Sequence, residues 1–246
     1  MKRSINIGLN YAGTNYELGG CENDAFEMRK RMRDAAPGYS VDQFWMETGN
    51  YSAADLFRHL EHFRATNARL DTVYITFSGH GTELPSNKPG QMDQGICLFH
   101  KGVIEVVRDA DFASALESIP GTVVVILDSC FSGGMSREAA EPGMRRKFLP
   151  FDPASMTVHE RPAAERGSRP PRDNKTYFLF ACGEKEVSYD LGTIGFFTQQ
   201  FCRAYDAAPA AKRTISNMIR TTAATCRPYQ SPMYDCFSGS GAKRIF

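Results

Sequence analysis

The sequence predicts an α/β fold on a mostly parallel central sheet, and three observations carry that prediction. Strand-like and helix-like segments alternate through the first half of the chain. Two apolar, β-branched runs, Thr72–Phe77 and Thr122–Leu127, read as strands buried on both faces, and each runs into a turn bearing glycines. Residues 4–10 alternate apolar and polar as a strand does. Glu22–Arg33 then carries good helix formers with Ala25, Phe26, Met28 and Met32 as its apolar positions. The unit recurs: Val41–Met46 alternates as a strand, and Ser52 opens a helix whose Leu56, Leu60 and Phe63 share one face. After Thr72–Phe77, the runs Gly95–Phe99 and Val103–Val107 around His100-Lys101-Gly102 predict a hairpin. Asp111–Ser118 predicts a short helix leading into Thr122–Leu127. Six of the thirteen prolines lie in residues 136–175, where apolar periodicity vanishes, so that stretch reads as a flexible linker. Beyond it come a strand at Thr176–Cys182, helices at Phe196–Tyr205 and Thr214–Thr225, and an extended run Pro228–Phe237. The expected organisation is one domain over residues 1–246: a larger part (1–135), the linker (136–175) and a smaller part (176–246).

Composition excludes several function classes. Lys and Arg (29) nearly balance Asp and Glu (28), with none of the basic excess of a nucleic-acid binder. No apolar run approaches the ~18 residues of a membrane helix. Asn6, Gly8, Asn10 and Asn15 interrupt any secretory leader that Lys2 and Arg3 would begin, so a cytoplasmic location is expected. Seven cysteines, odd in number and without a CxxC pair, read as thiols rather than as a disulfide or zinc framework.

Ligands of an open parallel sheet bind beyond the carboxyl ends of its strands. The third predicted strand runs into Ser78-Gly79-His80-Gly81, and the strongest runs into Asp128-Ser129-Cys130-Phe131-Ser132-Gly133-Gly134. His80 on its glycine-bounded turn suits proton transfer, and Cys130 supplies a nucleophile for a carbonyl carbon. The backbone N–H groups of Gly81 and Cys130 are the natural donors to the oxyanion that develops. Asp24 and Asp128 add negative charge near these turns, which favours a basic side chain in the substrate.

These turns resemble the His and Cys motifs of the metacaspases and their bacterial relatives, the orthocaspases: Tyr74–Gly81 (YITFSGHG) and Val125–Gly133 (VILDSCFSG). Three further stretches match in order. They are Leu18–Ala25 (LGGCENDA), Ala181–Asp190 (ACGEKEVSYD, with Glu186 where glutamine is common) and Gly195–Thr198 (GFFT). The resemblance implies the caspase-like (caspase-hemoglobinase) fold and a cysteine endopeptidase with His80 and Cys130 as its dyad. It also implies a pocket for Arg or Lys lined by Cys21, Asp24, Ser78 and Asp128, with Ser188 at the substrate edge. Expected partners are protein or peptide substrates with Arg or Lys before the cleaved bond, together with a regulatory partner; neither nucleic acid nor membrane is expected. Calcium-dependent members carry clustered acidic residues after the His motif, whereas Met92-Asp93-Gln94-Gly95 offers one carboxylate, so no cofactor or metal is expected to be required, with calcium left as an alternative that backbone carbonyls and more distant carboxylates would have to serve.

A cysteine-dependent phosphatase would need an arginine six positions after its nucleophile; Arg137 is seven after Cys130, and His80 would be idle. An inactive caspase-like interaction domain would normally lack one member of the dyad. The linker carries its densest basic cluster at Arg145, Arg146 and Lys147, with Arg161, Arg166, Arg169 and Arg172 further on. Self-cleavage there is expected to give a larger fragment holding the dyad and a smaller one that stays bound.

Overall fold

The computed structural model describes residues 1–36, 43–131, 143–161, 174–183, 185–236 and 243–246. A six-stranded sheet runs through it in the order β12-β10-β7-β3-β1-β2. These strands are β1 (Lys2–Gly8), β2 (Phe44–Thr48), β3 (Thr72–Ser78), β7 (Thr122–Asp128), β10 (Lys175–Phe180) and β12 (Met233–Cys236). All neighbours pair in parallel except β10 with β12.

Burial on both faces explains the unbroken apolar runs. On one face Val73, Ile75, Phe77, Val123, Val125 and Leu127 pack with Leu56, Leu60 and Phe63 of α2 (Ala53–Thr66) and with Phe112, Ala115 and Leu116 of α3 (Asp109–Glu117). On the other face Tyr74, Val124, Ile126, Tyr177 and Leu179 meet α1 (Cys21–Asp34), α4 (Phe196–Ala207) and α5 (Ile215–Cys226). Side chains that alternate along one strand thus serve two cores. Ser52 starts α2 through a capping box with Asp55, which satisfies the otherwise unpaired first N–H groups.

A second sheet, β4-β5-β6-β9, flanks the first. It comprises β4 (Gly81–Pro85), β5 (Met92–His100), β6 (Val103–Arg108) and β9 (Met156–His159). The predicted hairpin is its β5–β6 pair, with Lys101 and Gly102 at positive φ in the turn. Two strands of two residues, β8 (Arg145–Arg146) and β11 (Tyr189–Asp190), pair antiparallel.

The expectation of a structureless linker over 136–175 is corrected within residues 143–161. That stretch forms β8 and β9 and buries Leu149 completely and Met156 almost so, because it packs onto both the second sheet and the strand-end turns. The first strand ends at Gly8 rather than Asn10, whose side chain instead accepts from the Cys21 N–H (2.9 Å) and caps α1. No described helix is long and apolar enough to cross a membrane.

Candidate active site

The register of the sheet sets the site. Ser78 lies directly beside Asp128 at the carboxyl ends of β3 and β7, so the two turns that follow begin side by side. His80 and Cys130 are both buried there.

Two tyrosines hold the histidine. The Tyr11 hydroxyl accepts from the His80 N–H (2.8 Å) and donates to the Cys97 carbonyl (2.6 Å). His80 Nε2 lies 2.7 Å from the Tyr16 carbonyl oxygen. A carbonyl can only accept, so Nε2 carries the proton and Nδ1, which has no partner among the described residues, keeps its lone pair. Burial lowers the His80 pKa to about 4, and the nearby Lys147 charge adds to the shift. Burial also pushes the Cys130 thiol up to about 12, against the Ser188 backbone and Lys147, which pull it down. With the site filled as it is here, the pair is thiol and neutral imidazole at neutral pH.

What fills the site is the chain's own Lys147. Its carbonyl accepts from Gly81 N–H (3.0 Å) and Cys130 N–H (3.3 Å), the two donors expected from the sequence. Its N–H donates to the Ser188 carbonyl (2.9 Å), and two residues on the Leu149 N–H donates to the Gly81 carbonyl (2.9 Å). The side chain is fully buried, with Nζ 2.9 Å from Asp24 Oδ2, 3.1 Å from Asp128 Oδ2 and 2.8 Å from Ser78 Oγ.

The two carboxylates are satisfied on every side. Asp24 accepts from Ser78 Oγ (2.6 Å) and Gly195 N–H (2.7 Å). Asp128 accepts from Ser188 Oγ (2.6 Å), Thr198 Oγ1 (2.7 Å) and Thr198 N–H (3.2 Å). Burial pushes Asp24 up to about 6, opposed by the Lys147 ammonium. Burial would lower Lys147, but Asp128 and then Asp24 more than reverse it and hold the amine charged. Cys21 completes the wall beside Ser78, its thiol pushed up by burial.

Gly195 makes room for the lysine. A Cβ built there would fall on Asp128 Oδ2, Lys147 Nζ and Asp24 Oδ2, so the space that Nζ occupies exists because residue 195 has no side chain.

The residues expected as dyad, oxyanion donors, basic pocket and substrate edge therefore converge on one residue. Of the linker cluster, Lys147 alone enters the pocket. Arg145 and Arg146 are exposed in β8, with Arg145 donating to the Glu17 carbonyl. Arg161 is buried elsewhere, with Nη1 3.3 Å from Ser114 Oγ. Arg166, Arg169 and Arg172 lie outside the described residues. Sequence reasoning missed Tyr11, Tyr16, Gly195 and Asp190. Buried Asp190 accepts from the N–H groups of Gly19 (2.6 Å), Gly20 (3.2 Å) and Gly192 (2.9 Å) and so ties the loop before α1 to β11. Thr198 and Gly195 lie in the quoted GFFT motif, which was their signal; the Tyr16 contact is made by backbone and left none. Among the described residues no three His, Cys, Asp or Glu side chains cluster as a metal site.

A family model of the caspase domain matches residues 2–238. The chain belongs to the caspase-domain family. Within it, the chain is 30% identical to Metacaspase-6 of Arabidopsis thaliana over 179 residues, covering 67% of this chain and 47% of that protein. It is also 30% identical to Metacaspase-7 of the same plant over 153 residues, which is 57% of this chain and 37% of that one. Metacaspase-1 of Plasmodium falciparum is 22% identical over 216 residues, 78% of this chain and 31% of that protein. The chain thus spans between about a third and a half of the length of these relatives. Among solved structures, protein GSU0716 from Geobacter sulfurreducens superimposes with a TM-score of 0.72 at 18% identity, over 97% of this chain and 94% of that one, so the two share their fold.

Proposed function

We propose that this chain is a cysteine endopeptidase that cleaves after Lys or Arg, with Cys130 as nucleophile and His80 as proton carrier. The observation that carries the proposal is the pose of Lys147. Its carbonyl sits between two N–H donors while its ammonium is bound by two buried carboxylates, which is how a substrate residue before a cleaved bond would lie. In that pose the Cys130 sulfur attacks the carbonyl carbon as its proton passes to His80 Nδ1. The oxyanion takes the N–H groups of Gly81 and Cys130, and His80 then protonates the leaving amine as the C–N bond breaks. Water, deprotonated by His80, hydrolyses the thioester and frees Cys130.

Asp24 and Asp128 favour a basic residue because a neutral or acidic side chain would leave both buried carboxylates without a cation. Ser188 offers its carbonyl to the substrate N–H. The Lys147–Phe148 bond is the chain's own first substrate, which makes 143–161 a processing segment joining a larger and a smaller part of one domain. Protein substrates with Lys or Arg before the cleaved bond follow from the same pocket.

A panel of fluorogenic peptides ending in Arg, Lys, Asp or Phe, assayed with and without calcium, tests the reading. Turnover is expected with Arg and Lys and to vanish in Cys130→Ala and His80→Ala. Asp24→Asn is expected to lose on the order of 2–5 kcal/mol of transition-state binding for these substrates. Equal turnover of the Asp-ending peptide would refute the pocket assignment.

A further inference from the structure

At the end of the sheet opposite Cys130, a cavity of about 430 Å³ opens beside the first residues of β1 and β3, bounded by α4 and the segment 243–246. Lys2, Arg213, Lys243 and Arg244 line it over a floor of Tyr74, Tyr205 and Phe246. None of the described residues lining it has an acidic side chain. Among the described residues none of the four cations takes part in an ion pair.

The backbone that carries Arg213, Lys243 and Arg244 is fixed, and the Arg213 side chain is held as well. Ile215 N–H donates to the Lys243 carbonyl (2.9 Å) and Ile245 N–H to the Arg213 carbonyl (2.8 Å), with Thr214 bridged to Arg244, so segment 243–246 is laced to the start of α5. Arg213 lies 4.1 Å from the centroid of the Tyr205 ring, and its Nε donates to the Ala208 carbonyl (3.0 Å). The Tyr74 and Tyr205 rings each sit 5.3 Å from that of Phe246 and form a rigid floor.

Like charge is crowded there. The Lys2 pKa is lowered by burial and by Arg244, and that of Lys243 by burial, Lys2 and Lys175. Asp71, which precedes Thr72, is engaged by the Met1 amino group and supplies no relief. An anion entering the cavity would neutralise these cations, and the arginine forks match phosphate oxygens.

We propose that this cavity binds a small polyanion carrying two or more phosphate groups. Its volume falls within the ~300–1,000 Å³ of small-molecule sites. The site shares no residue with the Cys130 centre and stands or falls independently of the peptidase reading.

The test uses the full chain carrying Cys130→Ala, which removes the proposed nucleophile, and titrates pyrophosphate and ATP separately by calorimetry in low-salt buffer. Saturable one-to-one binding with a Kd below ~1 mM is expected. A rise in Tm of about 2–4 °C near saturation should accompany it. Binding of both ligands, or of pyrophosphate alone, identifies the phosphates as the recognised chemistry; binding of ATP alone identifies a nucleotide. Lys2→Gln/Lys243→Gln is expected to weaken binding at least about tenfold, while Lys88→Gln, on an exposed turn, leaves it unchanged. Heats of dilution alone for both ligands, or undiminished binding in a double variant that melts as a folded protein, would overturn the proposal.

Discussion

At the scale of single residues, His80 is the group whose environment is most finely set. The Tyr16 carbonyl fixes its tautomer, and burial keeps it neutral with a pKa of about 4. A histidine with a depressed folded pKa binds fewer protons folded than unfolded. Its contribution to stability is therefore complete above its ordinary value of about 6.5 and is lost as pH falls towards 4. Asp24, raised by burial, acts in the opposite direction over part of this window and is common to parent and variant, so a difference measurement removes it. We expect the stability advantage of parent over His80→Asn to shrink by on the order of 2–3 kcal/mol between pH 7 and pH 4.5 in denaturant unfolding. A pH-independent difference would show that His80 is not held neutral by its surroundings. The placement of His80 and Cys130 at neighbouring strand ends was legible because each follows a strongly apolar strand on a glycine-bearing turn. The Tyr16 contact was not, because any residue type supplies a carbonyl.

At the scale of elements, the long buried strands and amphipathic helices were readable from periodicity, since each must satisfy a core face along its whole length. The elements that shape the site were not. β8 and β11 have two residues each and exist only through their mutual pairing, while β4 begins in the His motif at Gly81 and ends at Pro85. Lys147 stood out in sequence only as one of three adjacent basic residues. What selects it is tertiary: β8 pairs with β11 so that the next residue meets Ser188, Gly81 and Cys130. The start of α4 matters as much, because Gly195 precedes it with its N–H on Asp24 and no side chain in the pocket. Gly195→Ala is expected to reduce kcat/KM for Arg- and Lys-ending peptides at least about a hundredfold, since its Cβ would displace the bound cation. Its melting temperature should meanwhile show that the fold persists. Near-parental kcat/KM in that variant would mean that the substrate side chain does not lie where Lys147 lies.

At the scale of the whole molecule, the sheet joins what processing would divide. β10 lies between β7 and β12 and pairs with β7 over Lys175–Phe180, while Phe178 and Leu179 enter opposite cores. After cleavage at Lys147, fragments 1–147 and 148–246 are therefore expected to elute together on gel filtration and to part only in denaturant, because separation would expose the β7 edge that β10 pairs with and the sheet face that α4 and α5 cover. Elution as two free fragments in native buffer would contradict this. The expectation of two parts rests on a break in periodicity over 136–175; the packing of 143–161 was not legible there, because its contacts are made with distant turns rather than with its own neighbours.

The central claim is that Lys147 lies in the site as a substrate residue that Cys130 can cut. The most direct test incubates the purified chain beside its Cys130→Ala variant and maps all termini by mass spectrometry. A new C-terminus at Lys147 and a new N-terminus at Phe148 in the parent, with the variant intact, are the predicted result. A parent that stays whole while hydrolysing Lys-ending peptides, or the same fragments from both proteins, would contradict it.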